Sequence, residues 1–145
     1  MALVVALGLL VALAVVMLVF VGIERGPEPV DVAVAYELAW RRHDYATLFD
    51  LSAKELRDGL ARDEFVAAKR AGDARAAVAR GESHPHAEPA PSVAVAVRVD
   101  EILAATDSAL VVTRAEGEDL RHRVMCERRH GRWQVVGYNL VTSDP

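Results

Sequence analysis

The stretch VAVAVRV, residues 93–99, alternates strictly, with Val93, Val95, Val97 and Val99 recurring at every second position. Successive side chains of a strand point to opposite faces, so a period of two predicts a strand with one buried face. Further strands are expected at Ala109–Ala115, Leu120–Arg128 and Arg132–Leu140. Turns fall between them at Thr106-Asp107, at Glu116-Gly117-Glu118-Asp119 and at His130-Gly131. Links this short join antiparallel neighbours, which predicts a meander of about four strands. Upstream, the Pro-rich stretch GESHPHAEPAPS, residues 81–92, separates the sheet from segments of helical spacing. Helices first and strands after place the chain in the α+β class.

Three helical segments precede that break. Val30 to Arg42 has its polar residues Asp31, Glu37, Arg41 and Arg42 within one arc, leaving Val30, Ala33, Val34, Tyr36, Leu38 and Trp40 on a wide apolar face. After His43-Asp44, Tyr45, Leu48, Phe49 and Leu51 repeat at helical spacing, and Asp44 is placed to cap that helix. Ser52-Ala53-Lys54-Glu55 has the capping-box pattern for another turn or two, closed by Asp58-Gly59. Asp63 is expected to cap a third helix, with Glu64 in its first turn and Lys69 and Arg70 near its end.

Residues 2–23, ALVVALGLLVALAVVMLVFVGI, carry no charged or strongly polar side chain. As a helix they would be about 33 Å long, against a hydrocarbon core of about 30 Å. A helix satisfies its own backbone hydrogen bonds, so it can cross lipid without orphaned polar groups. The run is longer than a signal-peptide core, follows no Lys or Arg, and ends without small residues at a cleavage position. It is therefore expected to be an uncleaved transmembrane anchor, 1–23, in contact with membrane lipid through residues 2–23. Gly26-Pro27-Glu28-Pro29 cannot continue a helix, and 24–29 reads as a short stiff linker to the domain at 30–145. Arg25, Arg41 and Arg42 all follow the run, and alone they would favour a cytoplasmic C-terminal part.

The net charge of −4 and pI near 5.7 give no general attraction to nucleic acid, and no nucleic-acid partner is expected. The single Cys126 excludes an internal disulfide. There is no phosphate-cradling Gly loop, nucleophile elbow or zinc-finger spacing, and neither cofactor nor metal is expected.

The soluble part resembles the nuclear transport factor 2-like (cystatin-like cone) superfamily. The resemblance rests on AYELAWRRHDYATLFDLSAKEL, DEFVAAKRA and the closing hairpin CERRHGRWQVVGYNLV, and spans about residues 30–142. More narrowly, the chain looks like the bacterial type in which one such domain hangs outside the membrane from an N-terminal anchor. That likeness implies a curved antiparallel sheet wrapped around three helices, a cavity between them, and homodimers through the sheet. It also outweighs the charge rule and implies an extracytoplasmic domain. Members include ketosteroid isomerases, epoxide hydrolases and polyketide cyclases, but the isomerase acid pair has no secure match on a strand here.

The candidate pocket is Tyr36, Trp40 and His122. On the strand Leu120–Arg128, the side chains of Leu120, His122, Val124 and Cys126 share the face expected to point inward. His122 is the only weak catalytic candidate, as a general base or ligand donor near neutral pH. A core histidine bonded to a carbonyl is the more frequent outcome for such a residue. His43-Asp44 is better read as helix punctuation than as an acid–base pair. Ser83-His84-Pro85-His86, with Glu82 and Glu88, lacks a defined ligand geometry and reads as a solvated loop. Arg121, Arg123, Arg128, Arg129 and Arg132 charge the final hairpin, which suits a solvated face or dimer interface before acidic lipid or an acidic partner. Cys126 reads as a buried hydrophobe, and Trp133 and Tyr138 as core and sheet packing. The expectation is a non-catalytic, membrane-anchored binding or interaction module of the bacterial cell envelope. Its partner would be an unknown envelope protein or a small apolar ligand. The alternative is an isomerase, cyclase or hydrolase acting on a small apolar substrate in the cone cavity.

Overall fold

The computed structural model describes residues 26–81 and 96–141. The expected anchor at 2–23, the His84/His86 loop and the first residues of the alternating stretch lie outside them. Among the described residues no helix is long and apolar enough to cross a membrane.

Helix α1 spans Pro29–Arg41, α2 Tyr45–Leu51 and α3 Arg62–Ala79, with a single 3₁₀ turn at Lys54–Arg57 between the last two. Strands β1 (Val97–Ala104), β2 (Ser108–Ala115), β3 (Arg121–Arg129) and β4 (Arg132–Leu140) form one antiparallel sheet in the order β1-β2-β3-β4. The α+β class, the three helices and the four-stranded meander are as the sequence predicts.

The ends differ in instructive ways. Pro29 opens α1 rather than closing the linker, because its missing N–H costs nothing at the first helical position. Asp31 then reaches back to accept from the Glu28 N–H at 3.1 Å. Asp44 caps α2 as expected, accepting from the Thr47 N–H at 3.1 Å and from its hydroxyl at 2.7 Å. Asp63 does not cap α3. That helix starts two residues earlier than such a cap would place it, with Ala61 at its cap and Glu64 accepting the Ala61 N–H at 3.0 Å. Ser52 does not cap the 3₁₀ turn either, since its buried hydroxyl donates back to Leu48 O at 2.7 Å.

Helix α1 lies across all four strands, α2 packs on α1 and β4, and α3 packs on α2. The expectation that all three helices rest on the sheet therefore needs correcting: α3 forms an outer layer, joined through Phe65 against Phe49 with ring centres 5.5 Å apart. The core gathers Val32, Ala33, Tyr36 and Ala39 of α1, Tyr45 and Leu48 of α2, and Val111, Val124, Cys126 and Val135 of the sheet. The end of α2 is tied to β4 by Ala53 N–H donating to Val135 O at 2.7 Å.

Candidate functional site

Helix α1 places Ala33, Tyr36, Glu37 and Trp40 toward the sheet, at the i, i+3, i+4, i+7 spacing of one helical face. Glu37 belongs to that face and not to the solvent arc: it is only 1% exposed. A lone carboxylate there would carry a desolvation cost of several kcal/mol, so its partners define the site. Arg41, one turn on, donates from Nε to Glu37 Oε1 at 2.8 Å. From β4, the Tyr138 hydroxyl donates to Oε2 at 2.7 Å, and from β2 the buried Thr113 hydroxyl approaches the same oxygen at 3.4 Å. The far side of the Arg41 guanidinium grips Glu118 of the β2–β3 turn in a two-pronged pair at 2.7 and 3.0 Å. Hydrogen bonds from Arg41 hold Glu118 below the ordinary carboxylate range, and Glu118 in turn holds Arg41 firmly charged.

The three sequence-predicted pocket residues meet around Tyr138. His122 stacks on it with ring centres 4.9 Å apart and planes 17° apart, Trp40 stacks at 6.0 Å, and Tyr36 tilts against it at 5.4 Å. His122 does point inward, as the strand alternation predicts, with its side chain 14% exposed. Its Nδ1 lies 3.3 Å from Glu37 Oε1 but out of line for a hydrogen bond, so this buried nitrogen has no hydrogen-bond partner. The expected backbone-bonded core histidine is therefore not what forms at Nδ1. The Trp40 indole N–H is likewise buried without an acceptor. Burial, then the bond to Glu37, drives the Tyr138 hydroxyl well above its usual pKa, and burial raises that of Tyr36.

Chemically, both oxygens of Glu37 are engaged by internal donors. Three donors on its two oxygens leave Glu37 little lone-pair capacity for a substrate proton. Two hollows stand away from this group. One, of about 250 Å³, lies between Gly26–Glu28 and the β3–β4 hairpin; the other, open and about 480 Å³, lies between Leu103, Leu110, Met125 and Val136.

The remaining candidates separate. His43, at a left-handed φ of 52°, ends α1, and its Nδ1 sits 2.6 Å from Asp73 of α3 and 2.8 Å from the Tyr45 hydroxyl. It staples a corner, while Asp44 caps. Cys126 is buried, its thiol 3.8 Å from Pro29 O and pushed by burial up to about 11. Among the described residues no group of three or more His, Cys, Asp or Glu could hold a metal. Sequence reasoning missed Glu37, Thr113 and Tyr138 as one site. The available signal was Glu37 four residues before Arg41, adjacent to the inward Tyr36. Compared with protein-family models, curated proteins and solved structures, the chain gives no significant match.

Proposed function

We propose that this chain is a membrane-anchored, extracytoplasmic binding or interaction module of the bacterial cell envelope, and that it is non-catalytic. In this reading a cone-shaped nuclear transport factor 2-like domain is tethered by residues 1–23. The observation that carries it is the filled interior: Tyr36, Trp40 and His122 pack on Tyr138 over a carboxylate already held by Arg41 and Tyr138. A catalytic pocket needs room for substrate beside convergent titratable groups, whereas a module that works through its surface does not. Surface is what the outer side of the sheet offers. Leu103 is 61% exposed there, beside the open hollow it shares with Leu110, Met125 and Val136. A second copy or an envelope protein is the fitting occupant of that face.

The tether rests on residues 2–23, whose length and lack of charge suit lipid. An enzyme acting on a small apolar substrate draws support from one observation, His122 beside Glu37, and requires the aromatic pile to open. The test is expression of the full chain with a C-terminal epitope in a bacterial host. The reading expects the protein to stay in carbonate-washed membranes and the epitope to be cut by protease added outside spheroplasts. Release into the carbonate wash, or an epitope protected until the cells are lysed, would overturn it.

A further inference from the structure

The hairpin between β3 and β4 carries Arg128, Arg129, His130 and Arg132 around Gly131. Arg129 is committed to Glu55 at 2.7 Å and to Glu127 at 2.7 Å. Its neighbours Arg128 and Arg132 are exposed, and among the described residues neither has an acidic partner. Both line the hollow of about 250 Å³ whose opposite wall is Gly26–Glu28, the segment that leads into α1. The helix side of this cleft is acidic, with Glu28 and with Asp50, which Arg62 holds at 3.2 Å. The hairpin side is basic and unneutralised.

Chain length limits how far Gly26 can stand from the end of the apolar run. Ile23, the last residue of the apolar run, is three Cα steps from Gly26, so the two are at most about 11 Å apart. The headgroup layer of one leaflet is about 5–7 Å deep. A segment that spans lipid up to Ile23 therefore confines Gly26, one wall of the cleft, to the neighbourhood of the headgroups, with Arg128 and Arg132 on the facing wall. That is within about one Debye length, about 8–10 Å, of the surface charge. Guanidinium groups are charged at every physiological pH and match phosphate oxygens in a planar fork.

We propose that the Arg128–Arg132 hairpin is a docking surface for anionic lipid, its two free guanidinium groups gripping headgroup phosphates of the membrane that holds the chain. This rests on the reading of residues 2–23 as an anchor.

The test uses the full chain in nanodiscs of phosphatidylcholine alone or mixed with phosphatidylglycerol, read by hydrogen–deuterium exchange. Amides of residues 128–132 should exchange several-fold more slowly with phosphatidylglycerol present, and high salt should abolish the difference. Each basic side chain near an anionic surface contributes about fivefold. The double variant Arg128→Glu/Arg132→Glu should therefore lower the docked-to-free ratio by about 25-fold or more, with exchange in Ser108–Ala115 unchanged as the folding control. Equal exchange in the two lipids, or protection that survives the double substitution, would overturn the proposal. So would protection reproduced in phosphatidylcholine discs by inorganic phosphate, or produced only by an acidic protein. A chain that enters neither kind of disc would show instead that the anchor reading had failed, and the proposal with it.

Discussion

Replacing Glu37 by Gln removes one charge and almost no volume, which isolates the electrostatics of the buried site. The native carboxylate accepts from Arg41 at 2.8 Å and from Tyr138 at 2.7 Å. A Gln amide has one acceptor oxygen, so one of these donors would face an NH₂ group. Losing a hydrogen bond to a charged group costs about 1.5–3 kcal/mol, and orphaning a buried donor about 1–3 kcal/mol. The loss stays below the upper range for broken buried ion pairs, because Arg41 is 17% exposed and keeps Glu118. We expect about 2–3 kcal/mol of destabilisation. At about 4 °C per kcal/mol, where the ranges for smaller and larger domains meet, Tm should fall by roughly 8–12 °C. The assay is thermal unfolding of the full chain in mild detergent, followed by circular dichroism at neutral pH. Glu118→Gln is the control, since Glu118 is 44% exposed and an exposed pair contributes about 1 kcal/mol or less. Equal, small shifts for the two variants would refute the claim that Glu37 is the keystone of the helix–sheet contact.

Other outcomes follow from the same contacts. Tyr138 has its folded pKa raised above the unfolded value near 10, so the stability it contributes is complete below about pH 10 and declines as pH rises further. Tyr138→Phe should flatten that alkaline decline in a pH series of urea midpoints, and an unchanged slope would count against it. The Cys126 thiol, buried and pushed up to about 11, should resist a disulfide reagent at mildly alkaline pH until the protein unfolds. Rapid labelling of the native chain would contradict that burial. Asp44→Ala removes both hydrogen bonds to Thr47 at the start of α2 and should cost about 1 kcal/mol in denaturant unfolding. The hydrogen bonds to Thr47 hold Asp44 below its usual carboxylate range, so its contribution is present above about pH 4 and lost on acidification.

Where one local rule governs a segment, its structure was legible. The short turns at Thr106-Asp107 and His130-Gly131 dictate a meander, and alternation put His122, Val124 and Cys126 on the inner face. Alternation broke down in several places, as where Val111, Val112 and Thr113 are buried in succession. Leu120 precedes β3 and is 58% exposed, and a shift of register between Val99 and Glu101 leaves the rest of β1 exposed at the sheet edge. The central miss was Glu37. Amphipathic reading assigns a charged residue to solvent, yet Arg41 lies one turn away and Tyr138 comes from a strand 101 positions along the chain. Only tertiary pairing supplies the partners that let a carboxylate be buried. Likewise, the aromatic residues read as pocket lining do converge, but Tyr138 fills the space between them. No pattern in one dimension distinguishes a lined cavity from a filled one.

The most direct test of the account is native mass spectrometry of the full chain extracted gently from bacterial membranes. The account predicts a mass that includes residues 1–23, seen as a dimer or with an envelope protein. An anionic-lipid adduct should weaken in Arg128→Glu/Arg132→Glu, whereas lipid held by residues 2–23 should not. A chain lacking residues 1–23 would contradict the anchor. A small-molecule adduct kept by that double variant but lost with His122→Ala would show the interior to be an occupied pocket, and would contradict the filled core on which the non-catalytic reading stands.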